Sequence, residues 1–110
     1  MSFFSRPSTD LSPAEFVANR EAGAPVLDVR TPAEFAEGHL AGAVNADVMA
    51  PDFHDKVSAM DLPSEGPIYL YCRSGNRSGS AAGLLKRMGH QGALNVGGFE
   101  DLAAAGAKTA

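Results

Sequence analysis

The chain has 110 residues, with 9 Lys and Arg against 13 Asp and Glu, 45% hydrophobic residues, one Cys and no Trp. A chain of that size forms one domain that buries roughly two-thirds of its unfolded surface, enough for a core without a disulfide, which one Cys cannot make anyway. A net charge of -4 argues against a nucleic-acid binder, and no apolar run approaches the ~20 residues that span a membrane.

Residues 1–10 carry no apolar segment of secretory type, so the expected location is cytoplasmic, where a lone thiol stays free. Phe3-Phe4 is a candidate edge strand. The expected domain runs over 11–106, with 107–110 as a tail. Ser12-Pro13-Ala14-Glu15 and Thr31-Pro32-Ala33-Glu34 each place a hydroxyl, then Pro, then Glu in the pattern of a capping box, predicting two helix starts. The shared Pro-Ala-Glu-Phe reflects similar strand-helix grammar, since two copies do not build a solenoid.

Between and after these starts, Val26-Leu27-Asp28-Val29, Ile68-Tyr69-Leu70-Tyr71 and Ala93-Leu94-Asn95-Val96 read as strands, with a weaker one at Ala43 to Ala46. Asp52 to Met60 predicts a third helix. Arg77 to Met88 predicts a fourth, with Ala81, Leu84, Leu85 and Met88 on one stripe, Lys86 and Arg87 in the last turn, and Gly89 beyond it. Phe99 to Ala105 predicts a short fifth. Strands alternating with helices imply an α/β fold with a mostly parallel sheet of four or five strands.

Chemistry concentrates in Cys72-Arg73-Ser74-Gly75-Asn76-Arg77-Ser78, between a strand and a helix N-terminus. Ligands of parallel sheets bind outside the carboxyl ends of the strands, and backbone N–H groups in such a turn form a concave nest for an anion. That field, with Arg nearby, lowers a thiol from its free value of about 8.5 and readies it as a nucleophile. Gly75 lets the loop close, and Gly79 and Gly83 are expected to bring helix and sheet together.

With these segments in view, the chain resembles the rhodanese family of sulfurtransferase domains from Leu11 to Leu102. The resemblance rests on Val26-Leu27-Asp28-Val29-Arg30, Glu34-Phe35, the run from Gly38 to Asn45, the loop at Cys72, and Val96-Gly97-Gly98-Phe99. Leu102 departs from it, standing where many members carry Trp. It implies a three-layer domain with helices on both sheet faces and a Cys72 that carries sulfur as a persulfide. A donor such as thiosulfate supplies that sulfur, cyanide or a thiol takes it, and no organic cofactor or metal is required. A persulfide carrier handing sulfur to a protein across an open site, or a protein-binding module of the family with little small-molecule turnover, is the alternative expectation.

Around Cys72, the N–H groups of 73–77 are expected to converge on the transferred sulfur. Arg73 is expected to attract the donor, although Ser74 stands where thiosulfate-using members often carry Lys. Arg77 either faces the donor or pairs with a carboxylate at the helix start. Ser74 and Ser78 are candidate donors to the sulfur. Arg30 is expected in an ion pair with Glu34, Asp28 in either a structural or a site role, and His39 as a brace of its turn. Arg77 comes one position earlier than the Arg of tyrosine phosphatases and related arsenate reductases, which argues against those activities. His39, His54 and His90 lack the spacing of a zinc site.

Overall fold

The computed structural model describes residues 9–110, so the Phe3-Phe4 candidate lies outside the described residues. Both capping boxes form. Ser12 Oγ accepts the Glu15 N–H while Glu15 accepts the Ser12 N–H, and Thr31 and Glu34 repeat the exchange. They start α1 (Pro13–Asn19) and α2 (Pro32–Glu37), which flank β1 (Val26–Asp28). The remaining elements are β2 (Val44–Asn45), α3 (Phe53–Ser58), β3 (Ile68–Cys72), α4 (Asn76–Arg87), β4 (Ala93–Gly98) and α5 (Phe99–Ala104).

The four strands are parallel in the order β2-β1-β3-β4. From β1 the chain turns one way to β2, and from β3 the other way to β4. The carboxyl ends of β1 and β3 therefore flank the point where the strand order reverses, and a crevice opens there.

Side-chain alternation divides the core into two layers. Leu27, Val29, Ile68, Leu70 and Cys72 pack with Phe53 and Val57 of α3 and with Ala81, Ala82 and Leu85 of α4. Val26, Tyr69, Tyr71 and Val96 pack on the other face with Phe16 of α1 and Leu102 of α5. Helices thus cover both faces. Leu102 is fully buried and fills its place in that second layer.

In α4, Leu84 and Met88 are only partly buried, while Ala82 joins Ala81 and Leu85 inside. Gly79 does approach the sheet, for a Cβ there would lie 3.3 Å from Asn95 Nδ2. Gly83 does not serve that purpose, because a Cβ there would meet only the far end of Arg87.

Leu70 pairs with Asn95, but Tyr71 pairs with Gly97, so Val96 is an extra residue in β4. This bulge leaves Gly97 at φ +104, a conformation that glycine adopts without strain. Residues 107–110, read from sequence as a tail, exchange backbone hydrogen bonds with the segment after α2: Ala41 N–H to Lys108, His39 N–H to Ala110, and Ala110 N–H to His39.

Asp28 is buried at 0% exposure. Its carboxylate accepts from Arg30 Nε at 2.9 Å, from Arg30 Nη2 at 2.6 Å and from the Tyr71 hydroxyl at 2.8 Å. Tyr71 Oη in turn accepts the Leu40 N–H at 2.9 Å. Burial pushes the Tyr71 phenol up, and bonding to Asp28 adds to this, so it stays protonated and donating. Tyr71→Phe takes a donor from a buried carboxylate and strands the Leu40 N–H; a loss of about 2–3 kcal/mol in urea unfolding is expected.

Candidate active site

Cys72 ends β3, and Arg73, Ser74 and Gly75 turn directly into α4. Gly75 sits at φ +100, so the turn reverses tightly enough for its own N–H to donate to Cys72 Sγ at 3.0 Å. Ser78, one turn into α4, places its Oγ 3.3 Å from the same sulfur. Burial works to raise the thiol. The Ser78 hydroxyl and the N–H groups of Ser78, Ser74 and Gly75 outweigh it, leaving Cys72 below its ordinary value.

The groups gathered at Cys72 Sγ come from both the loop and the helix. The amides of 74, 75 and 78 act on it, because the helix begins as early as Asn76. Ser74 acts through its backbone, while the side chains of Ser74 and Asn76 are exposed. The loop is held close to β4 by Gly98, where a Cβ would strike the Arg73 carbonyl.

Cys72 itself is 1% exposed. Arg73 is exposed and lines a cavity of about 360 Å³ with Arg30, Glu34, Glu37, Gly38, Phe99 and Glu100. This cavity lies at the carboxyl ends of β1 and β3, where the strand order reverses.

Arg77 turns to α2 and forms a two-pronged pair with Glu34, Nη1 to Oε1 at 2.7 Å and Nη2 to Oε2 at 3.0 Å. Glu34 is held at about 2, mainly by Arg77 and, against some burial, by the Thr31 N–H and hydroxyl. The expected Arg30–Glu34 pair is thereby replaced. Glu34 belongs to Arg77, and Arg30 folds back on Asp28, two residues earlier in sequence, and donates to the Gly38 carbonyl at 2.6 Å.

Arg30 also lies over Phe99, 4.6 Å from its centroid, which keeps the guanidinium flat at the cavity wall. Asp28 itself faces the α1 and α5 layer with Tyr71, away from the sulfur. His39 stacks on Phe35 at 3.7 Å and its Nδ1 meets the Phe35 carbonyl at 2.9 Å, so it braces the segment after α2.

Sequence reasoning passed over Asn95. It is 2% exposed in β4, and its side chain bonds to Ser78 and to the Gly75 carbonyl. The available signal was an amide in the middle of an otherwise apolar strand. Among the described residues no cluster of three His, Cys, Asp or Glu side chains is placed to hold a metal ion, and no helix is long and apolar enough to cross a membrane.

The family model for the rhodanese-like domain matches residues 12–105, and the chain belongs to that family. A rhodanese-related protein from Thermoplasma volcanium is 27% identical, with 91% of this chain and 95% of that one aligned at a TM-score of 0.75. A rhodanese-like protein from Anabaena is 24% identical over 90% and 89% of the two chains, again at 0.75. A rhodanese from E. coli solved with anions is 24% identical over 79% and 96%, at 0.68. No curated protein sequence matches. The fold is thus that of the sulfurtransferase superfamily.

The Glu34–Arg77 pair has a pH signature. Glu34 is held below its ordinary 4.5, so its contribution is complete above that value and is lost as pH falls toward about 2. Glu34→Gln keeps the capping box but removes the charge. Its stability deficit, about 1 kcal/mol after solvent screening, should be full at pH 6 and vanish near pH 2 in denaturant titrations.

Proposed function

We propose that this protein is a sulfurtransferase in which the Cys72 thiolate attacks the outer sulfur of a donor such as thiosulfate. The S–S bond of the donor breaks, sulfite leaves with its electron pair, and Cys72 carries a persulfide. Cyanide or a small thiol then attacks the outer sulfur, leaving as thiocyanate or a new persulfide and returning the thiolate. Two half-reactions on one nucleophile predict ping-pong kinetics.

The observation that carries this reading is the single thiol of the chain, held low by three backbone N–H groups and one hydroxyl, next to an exposed Arg at a cavity. Arg73 attracts the anionic donor, and the loop amides stabilise the charge on sulfur. Burial of Cys72 favours small acceptors over a docked protein carrier. A phosphatase or arsenate reductase reading is disfavoured, since Arg77, the residue that would clamp a tetrahedral oxyanion, is already engaged by Glu34.

Brief incubation with thiosulfate should add the mass of one sulfur atom to the wild type and none to Cys72→Ser, and cyanide should discharge it as thiocyanate. Absence of the mass gain on wild type overturns the thiosulfate assignment. Arg73→Ala should raise the donor KM roughly three- to tenfold at low ionic strength with kcat little changed, an effect that fades as salt is added.

A further inference from the structure

A buried hydroxyl beside the nucleophile has two acceptors and one proton. Ser78 Oγ lies 2.7 Å from Asn95 Oδ1 and 3.3 Å from Cys72 Sγ. A serine donates once, so a bond to one acceptor is given up when the proton turns to the other.

The orientation of the Asn95 amide is fixed by its surroundings. The Gly97 N–H donates to Oδ1 at 3.1 Å, and Nδ2 donates to the Gly75 carbonyl at 3.0 Å. Flipping the amide would set donor against donor and acceptor against acceptor, so the atom facing Ser78 is the oxygen. Because Oδ1 keeps the Gly97 N–H, Ser78 can leave it without stranding a buried acceptor. Gly75 likewise keeps a partner, since its carbonyl also accepts the Gly79 N–H at 3.1 Å.

We propose that Asn95 is a positioning residue that competes with Cys72 for the Ser78 hydroxyl proton and so sets how strongly the bare thiolate is held. With the thiolate present, the hydroxyl turns to sulfur. Once Sγ is bonded to a second sulfur it is a weak neutral acceptor, and the hydroxyl returns to Asn95. The second half of this cycle rests on the persulfide reading; the first concerns the bare thiol alone.

The charged groups near this cluster are Asp10, whose carboxylate accepts the Asn95 N–H at 2.8 Å, and Arg77, which is paired with Glu34. Arg73 sits at the cavity and Asp47 acts on Arg77. The histidines are elsewhere: His39 on Phe35, His90 on the Pro63 carbonyl, His54 beside Asp55.

The test is the pH dependence of Cys72 alkylation by iodoacetamide, which requires no sulfur donor. Asn95→Leu frees Ser78 for the sulfur, so the alkylation midpoint should fall by about half a unit to one unit, roughly a three- to tenfold gain on the acid side. Ser78→Ala should raise the midpoint, and adding Asn95→Leu to it should produce no further shift. A midpoint that is unchanged or raised in folded Asn95→Leu, or a fall that persists without Ser78, overturns the proposal. Should Asn95→Leu fail to fold, the Asn95 side-chain amide resonances of the wild type decide. They should titrate with Cys72 and lose most of that titration in Ser78→Ala, whereas equal titration in both overturns it. Failure of the persulfide assay would leave these results standing and remove only the loaded state.

Discussion

A carboxylate with no access to water has to be matched by donors, and Asp28 is the point at which this fold meets that demand. Arg30 supplies a fork of two nitrogens as well as its backbone N–H, and Tyr71 supplies a hydroxyl from the neighbouring strand. Removing one partner of such a cluster costs far more than the intact cluster contributes, because the remaining charge stays buried. Through it β1, β3 and the segment after α2 are held in one register. The wall of the cavity follows from that register, since the guanidinium lying over Phe99 is the one that Asp28 anchors.

The nucleophile obeys the opposite electrostatic logic. Desolvation alone would make Cys72 a poor anion, and the loop answers by aiming N–H groups and a hydroxyl at one atom. Those donors exist because α4 starts three residues after the turn begins, with a left-handed Gly75 to allow it. Arg77, whose alternative was to face the donor, instead ties α4 to α2.

Local features of this architecture were legible in the sequence because they are written in local chemistry. The capping boxes at Ser12 and Thr31, the apolar runs of β1 and β3, and the small-residue loop after Cys72 each depend on neighbours a few residues away. Partner choice was not legible. Arg30 takes Asp28 because residues two apart on an extended segment share a face, while Glu34 is claimed by Arg77 from a distant helix. Asn95 pairs with Leu70 and shares its face, but that the Gly75 carbonyl and Ser78 cover this face there is set by the docking of α4 on the sheet. The burial of Cys72 was hidden for a related reason: it packs in a layer that includes Phe53 and Val57 of α3, a distant segment of the chain.

The antiparallel pairing of residues 107–110 with 39–41 gives the molecule a mechanical line of force. Tension applied at Thr109 reaches Leu40 through their bridge, and Leu40 N–H is bonded to the Tyr71 hydroxyl. From Tyr71 the line runs to Asp28 and on to the guanidinium at the cavity wall. Cys72 lies on the opposite face of the sheet and is off that line. Force on residues 108–110 would therefore deform the cavity wall before the nest around the sulfur, so the cavity and the readiness of the thiolate are mechanically separable.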